Sequence, residues 1–275
     1  MLLIGRPVTA EEYSRMLRRM QLVDESELDD GQISPETLVR ADCLIAMPHI
    51  PDKSVDMVLC DLPFQVTANH WDVALDSVWL WKEYERILIP GAAVVLNAIQ
   101  PFTSILVQGN LDWFKYEWIW EKNISTNHLN VTTQPLRIHE SILVFINGTS
   151  FYHPIYGRGR PYLNSKGEDT TPNYEKQKAY KQQRGSERFP TSIIRYAHDH
   201  PRIHPTQKPV ALFEYLIRTY TKEGAVVLDN TAGVMTTAVA AVRCNRRYIC
   251  IEQSKEYFDL GAKRVEQEEM KIRML

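Results

Sequence analysis

Short, nearly unbroken apolar runs alternate along this chain with stretches of helical spacing. Leu38 to Asp42 reads as a short strand, Val55 to Cys60 as the next and Ala92 to Leu96 as a third. Apolar runs of this length suit strands buried on both faces, as in a mainly parallel sheet. Trp79 to Ile87 has helical spacing and is closed by Pro90-Gly91; a further helix follows Gln100-Pro101-Phe102. Strands are expected near Tyr116–Glu121 and Ser141–Ile146. After a gap come a helix from Pro209 to Thr221, a strand from Ala225 to Leu228, a helix from Met235 to Arg243 and a strand from Arg247 to Ile251. Such alternation predicts an α/β fold with crossover helices. Upstream, Thr9-Ala10-Glu11-Glu12 is a capping box for a helix over 9–22 with Tyr13, Met16, Leu17 and Met20 on one face, ended by the acidic run Asp24–Asp30 and Gly31. Between Phe151 and Pro201 neither period persists, and fifty such residues are too many for an idle loop.

Length and composition narrow the class. With 275 residues, 44% hydrophobic and 24% charged, the chain suits one α/β domain with insertions or two small domains. No apolar run approaches the roughly 20 residues of a membrane span, and Met1–Ile4 does not read as a signal peptide. The four cysteines (Cys43, Cys60, Cys244 and Cys250) form no Cys-x-x-Cys pair and sit in or beside strand-like segments. They read as core residues of a cytoplasmic protein, and no metal site is expected. The net charge of −2 does not mark a nucleic-acid binder, but residues 151–200 are locally basic.

Two strand ends carry chemistry. Val55–Cys60 stops in Asp61-Leu62-Pro63-Phe64: an acid, a backbone carbonyl and a ring where open α/β sheets bind ligands. That set suits a flat heterocycle bearing an amine. Val226-Val227-Leu228-Asp229-Asn230-Thr231-Ala232-Gly233 ends a second strand in an acid and a small-residue turn that opens a helix. The following strand ends in Glu252, 23 residues after Asp229, a separation suited to an acid that accepts from ribose hydroxyls. Together they favour a nucleoside cofactor. His204-Pro205-Thr206-Gln207-Lys208-Pro209 leads into a helix, and Lys208 with Thr206 is suited to a small carboxylate near that turn.

In this order the motifs resemble those of β-class DNA amino-methyltransferases, especially solitary phage and prophage enzymes. Asp61-Leu62-Pro63-Phe64, followed by Trp71-Asp72, is similar to the family's target-base motif; His204–Pro209, Asp229–Thr237 and Glu252 are similar to its cofactor elements. Asp42-Cys43-Leu44, Pro51–Asp56, Gln100-Pro101-Phe102, Trp120-Glu121-Lys122 and His139-Glu140 match further stretches. The resemblance covers about 37–150 and 201–265. It implies a Rossmann-like methyltransferase fold with about seven strands and a circularly permuted motif order. It also implies S-adenosylmethionine as cofactor and transfer to adenine N6 in a flipped base of double-stranded DNA. Catalysis would fall to Asp61, Leu62, Pro63 and Phe64, with Phe64 stacking on the base. Cofactor binding would fall to Asp42, Cys43, Asp61, Thr206, Lys208, Asp229, Asn230, Thr231, Ala232, Gly233, Thr236, Thr237 and Glu252.

By the same resemblance 151–200 is the target-recognition region, with Arg158, Arg160, Lys176, Lys181, Arg184 and Arg188 toward DNA. Residues 1–36 would be a helix and acidic linker and 266–275 a tail, in a homodimer of a bacterial or phage-infected cytoplasm. The chain departs from the pattern where Val234 and Met235 replace a serine and a second glycine; methionine is costly there if φ is positive. Cytosine-N4 or RNA methylation on the same scaffold, and a weakly active DNA-binding homologue, are the alternatives.

Overall fold

The computed structural model describes residues 20–28, 31–63, 76–166, 180–201, 203–204 and 206–274. The expected helix over 9–22 lies outside these up to residue 19, as do Phe64, Trp71-Asp72, Lys176 and Pro205. The chain divides into two compact units, one of residues 1–152 and 193–275, the other of His153–Ser192.

The larger unit is built on a nine-stranded sheet. In chain order its strands are β1 (Gln21–Asp24), β2 (Thr37–Arg40), β3 (Val55–Cys60), β4 (Leu88–Ala98), β5 (Phe114–Thr126), β6 (Arg137–Ile146), β11 (Ile193–Arg195), β12 (Val226–Asp229) and β13 (Arg247–Ile251). Across the sheet they run β1-β2-β13-β12-β3-β4-β6-β5-β11. β6 pairs antiparallel with both β4 and β5, and the remaining pairings are parallel. The mainly parallel sheet expected from the apolar runs is thus present, widened by an edge strand at each end.

Both edge strands revise the expected boundaries. β1 lies where the helix over 9–22 and the acidic linker were expected, in register Gln21↔Thr37 with β2. β11 lies within the irregular stretch, yet pairs with β5, and Ile194 is buried in the core. Neither is long enough to show a period.

The helices are α1 (Cys43–Ala46), α2 (Ser77–Ile87), α3 (Phe102–Gly109), α4 (Val210–Tyr220), α5 (Thr236–Arg243) and α6 (Lys255–Arg273). Side chains alternate across a strand, so each buried strand feeds two cores. Met57 and Leu59 face one cluster with Leu212, Phe213 and Leu216 of α4, Ala238 of α5 and Val265 of α6. Val58 and Cys60 face the other, with Leu80, Trp81 and Tyr84 of α2 and Leu106 of α3. Residues 266–273, expected as a tail, continue α6. Glu268 pairs with Arg243 at 2.8 Å, and Glu269 accepts from the Tyr248 hydroxyl at 2.9 Å.

Arg86, at the end of α2, fixes the approach to β3. Its guanidinium donates to the carbonyls of Ile50 at 2.7 Å and Met47 at 2.9 Å, and pairs with Asp52 and Glu83. Arg86→Met removes the side-chain donor from Ile50 O and one of two donors from Met47 O, which keeps Ile50 N at 3.0 Å, and should lower unfolding free energy in urea by about 2 kcal/mol. An unchanged urea midpoint would show that water replaces these bonds.

Candidate active site

Parallel strands put their carboxyl ends on one edge, and that edge collects the acids singled out above. Asp42 follows β2, Asp61 follows β3, Asp229 ends β12 and Glu252 follows β13. Because β3 and β12 are neighbours, residues 168 positions apart (229 − 61) face the same cleft edge.

Asp61 stands at the head of a chain of alternating charges. Lys208 Nζ lies 2.5 Å from its Oδ2 and 3.4 Å from Glu140 Oε2; Lys122 Nζ lies 3.2 Å from Glu140 Oε1. The two lysine side chains are 7% and 2% exposed. Burial pulls the Lys208 ammonium down, but Asp61 and Glu140 outweigh it and hold its pKa above the ordinary lysine value. Burial likewise pushes the Glu140 carboxyl up, and the two ammonium groups overcome that to hold it low. Each buried charge is therefore kept by its neighbours. The backbone is fixed too: Asp61 O accepts from the Thr231 hydroxyl at 3.2 Å, and Cys60 O from Asn97 at 3.4 Å. Leu62 is buried and Pro63 partly so.

The turn between β12 and α5 is the second half. Asp229 is buried; its Oδ1 accepts from Thr231 N at 3.1 Å and its Oδ2 from the Thr237 hydroxyl at 2.5 Å. Burial raises its carboxyl to about 7 despite these bonds. Thr237 also reaches Leu59 O at 3.3 Å, stitching α5 to β3. Asn230 is held by the Tyr84 hydroxyl at 2.7 Å, and Ala232 N donates to Ile251 O at 2.9 Å. Gly233 N donates to Glu252 Oε2 at 2.8 Å and Ser254 N to its Oε1 at 2.7 Å. Each Glu252 oxygen keeps a lone pair for a further donor. Gly233 has φ +51°, and no atom lies within 4 Å of where its Cβ would stand, so the turn presents open space there. That opening beside a strand-end acid fits an adenosyl group.

Met235 does occupy the left-handed region, at φ 60° and ψ 37°, as the residue that opens α5. The strain of about 1 kcal/mol or more is met by packing. Its side chain is fully buried, and α6 has Gly261 opposite, where a Cβ would lie 2.4 Å from Met235 Cγ and 2.9 Å from Val234 C. The contact continues one turn on at Arg264, which donates to Val234 O at 2.8 Å and to the Thr236 hydroxyl at 3.2 Å.

The remaining expected residues divide. Asp42 caps α1 through Leu44 N at 2.9 Å and donates from its own N to Glu25 at 3.3 Å. It borders an open pocket with Asp24, Glu25, Ser26, Arg40 and Gln253, so unforeseen β1 supplies one wall. Buried Cys43 has its thiol pushed up to about 12, first by burial and then by Asp42. Exposed Thr206 meets His204 Nδ1 through both N, at 3.2 Å, and Oγ1, at 3.1 Å. Lys208 is set beside the target-motif acid, rather than offered to a cofactor carboxylate as its motif suggested. In the sequence Glu140 and Lys122 stand only within matching stretches; their pairing appears once the sheet brings them together.

Among its described residues the smaller unit has two two-stranded antiparallel sheets, one nested within the chain span of the other. β7 (Gly157–Arg158) pairs with β10 (Glu187–Arg188), and β8 (Tyr162–Lys166) with β9 (Tyr180–Arg184). Arg158 and Arg160 are exposed. Arg188 differs from the expected outward cation: its guanidinium lies 4.3 Å from the Tyr162 ring centroid and donates to the carbonyls of Gly185, Glu187 and Arg160. Lys181 and Arg184 lie on β9, of which only the backbone is described. Tyr156 and Phe189 rings pack at 5.0 Å.

A mainly parallel sheet with a glycine turn, a strand-end acid and a separate amine-directed motif on one edge defines an α/β transferase of the methyltransferase type. Residues 55–263 match the DNA methylase family of N6 and N4 enzymes, and the chain belongs to that family. The DNA adenine methyltransferase YhdJ of Escherichia coli (strain K12) is 25% identical over 248 residues, spanning 84% of this chain and 83% of that protein. Among solved structures, M1.HpyAVI in complex with SAM aligns at TM-score 0.58 with 21% identity over 82% of this chain and 98% of its own. The PvuII DNA methyltransferase, described as cytosine-N4-specific, aligns at TM-score 0.59 with 14% identity over 88% and 94%. These structures share the fold.

Two predictions follow from the turn. Asp229 ionises near 3.8 when unfolded and near 7 when folded. Between those values the folded state keeps a proton that the unfolded chain has lost. Its stabilising contribution is therefore complete below the lower value and is lost, at roughly 1.4 kcal/mol per pH unit, as pH rises to the upper one. The stability of Asp229→Asn relative to the natural protein should rise between about pH 5 and about pH 7 and level off above, read by urea unfolding. A difference constant across that range would remove the assignment. Gly261→Ala should weaken S-adenosylmethionine binding about tenfold in calorimetry by displacing Met235, and adding Met235→Gly should restore it. Unaltered affinity in the single variant would show that α6 does not set the turn.

Proposed function

We propose that the protein transfers the methyl group of S-adenosylmethionine to N6 of adenine in double-stranded DNA, at a base rotated out of the helix. The observation that carries this reading is the juncture of its two halves. Asp61, fixed through its carbonyl by Thr231 of the glycine turn, is held through its carboxylate by buried Lys208. The acid-first target motif supports adenine over cytosine, and so does the adenine enzyme among the relatives.

When bound, S-adenosylmethionine supplies an electrophilic sulfonium methyl. Asp229, Asn230, Gly233 and Glu252 line the turn that would receive it, with Asp42 and Cys43 on the neighbouring strand end. The residues of β3 deal with the amine. An adenine amino nitrogen is a weak nucleophile because its lone pair is delocalised into the ring. The Asp61 carboxylate and the Leu62 carbonyl would accept its two N–H bonds and favour the pyramidal form, in which the lone pair points at the methyl. Fixed acceptors of this kind act through orientation and preorganised charge. Lys208 pairs with the Asp61 carboxylate and aligns it to accept hydrogen bonds; the excess proton leaves the product nitrogen along Asp61, whose side chain is 21% exposed, to water. Pro63 and Phe64 complete the motif, with Phe64 stacking on the base.

In the same reading the smaller unit, with exposed Arg158 and Arg160, meets DNA phosphates and selects the target, joined by Lys176, Lys181 and Arg184. The resemblance adds a homodimer in the cytoplasm of a bacterium or a phage-infected cell; among the described residues no helix is long and apolar enough to cross a membrane.

Incubation with labelled S-adenosylmethionine and mixed-sequence duplex DNA lacking N6-methyladenine, followed by digestion, should place the label on N6-methyladenine. Label on N4-methylcytosine, or on RNA offered in parallel, replaces the reading. Asp61→Ala should cut transfer by about a hundredfold or more while cofactor affinity holds; retained transfer would end the catalytic assignment.

A further inference from the structure

The hairpin that joins β5 to β6 carries a feature the reaction above does not use. β5 runs parallel to β4 and continues past the sheet, with Thr126 paired to Arg137. The connecting residues 127–136 therefore rise from the edge that bears Asp61. The hairpin is rooted in the catalytic charge chain: Lys122 of β5 and Glu140 of β6 pair with each other, and Glu140 meets Lys208. Between Glu121↔His139 and Thr126↔Arg137 the register shifts, five steps along β5 matching two along β6, so the strand bulges just below the tip.

The tip is knotted. Asn127 adopts φ +74°, and Asn130 Nδ2 donates to its side chain at 2.7 Å. Asn130 O accepts from Thr133 N at 3.0 Å, Gln134 N at 3.0 Å and the Thr133 hydroxyl at 3.1 Å. This knot carries Leu129 outward at 98% exposure, with Val131 at 54% beside it. From Asn123 to His139 there is no carboxylate, in a chain with 34 acids; the polar groups are amides, hydroxyls, two imidazoles and Arg137. A fixed apolar point ringed by neutral hydrogen-bonding groups, free of negative charge, suits the interior of a nucleic-acid duplex.

We infer that the β5–β6 tip enters the DNA beside the target and that Leu129 fills the space the rotated base vacates. The inference rests on the DNA-methylation reading and extends it. Leu129 takes up stacking surface that would otherwise be open to water, while the Asn127, Asn130 and Gln134 amides lie within reach of the orphaned partner base and its neighbours. The root at Lys122 and Glu140 couples the wedge to the pair that orients Asp61.

The test uses a fluorescent mixed-sequence duplex containing one abasic site, a ready-made vacancy, against the same duplex intact. The full-length protein should prefer the abasic duplex, and Leu129→Ala should lose about tenfold of that preference with melting temperature and cofactor affinity unchanged. In the methylation assay Leu129→Ala should lose about tenfold or more on duplex DNA, and far less on the same DNA denatured, where no stack needs filling. Equal losses on both forms, or an unchanged abasic preference, overturn the inference. A shift in oligomeric state by light scattering, with the abasic preference intact, assigns the tip to a second copy of the chain and also overturns it. If the natural protein transfers no methyl to DNA yet shows a Leu129-dependent abasic preference, the wedge stands and the proposed reaction fails.

Discussion

The Lys208 ammonium, buried between Asp61 and Glu140, is the interaction on which the site depends. A lone ammonium in that position would lose its proton or draw in water. Two carboxylates hold it charged, and Lys122 in turn balances the second carboxylate. The four groups sum to zero charge and link four elements: the end of β3, β5, β6 and the approach to α4. Removing one member leaves an uncompensated charge, a loss of about 3–5 kcal/mol in comparable buried pairs. A network of this kind stabilises the fold weakly as a whole, yet it fixes Asp61 in position.

In the cofactor turn, packing joins the hydrogen bonds of charged groups. Its left-handed residue is a methionine, which the backbone disfavours, and the strain persists because the side chain is enclosed on α6 opposite Gly261. Thr231 and Thr237 then bind the turn to backbone carbonyls of Asp61 and Leu59. Displacement of the turn therefore acts on the target motif through hydrogen bonds, without any moving domain between them. On the proposed reading this joins cofactor affinity to amine orientation, which suits a reaction whose rate depends on alignment.

The parts legible in the sequence are those whose physics is local. β3 and β13 were bounded to the residue because strands buried on both faces need continuous apolar runs, and their acids fall at the ends where the chain leaves the core. β1 and β11 escaped because four and three residues at a sheet edge carry no readable period. The tail over 266–273 reads as polar on average, and its helix is visible only through Glu268 and Glu269, which find partners on α5 and β13. Arg188 looked like its basic neighbours, since nothing nearby in sequence announces that its guanidinium rests on Tyr162. The charge chain was beyond reach for the same reason: 147 positions separate Lys208 from Asp61.

Those separations also explain why the order of motifs along the chain matters little to the chemistry. The target motif on β3 precedes the cofactor strand β12, but the two lie side by side with Leu228 opposite Val58. A parallel sheet registers strands by hydrogen bonding and burial, not by chain order, so long connections are tolerated between them at a modest entropic cost. The segment from β6 to α4 exploits this. It leaves the main unit after Tyr152 and rejoins it at Ile193, where β11 is pinned to β5 by parallel pairing and by Ile194 in the core. Anchoring both ends in the sheet lets His153–Ser192 vary without disturbing Asp61, Lys208 or the glycine turn. On the proposed reading, target choice and methyl transfer are then open to independent change.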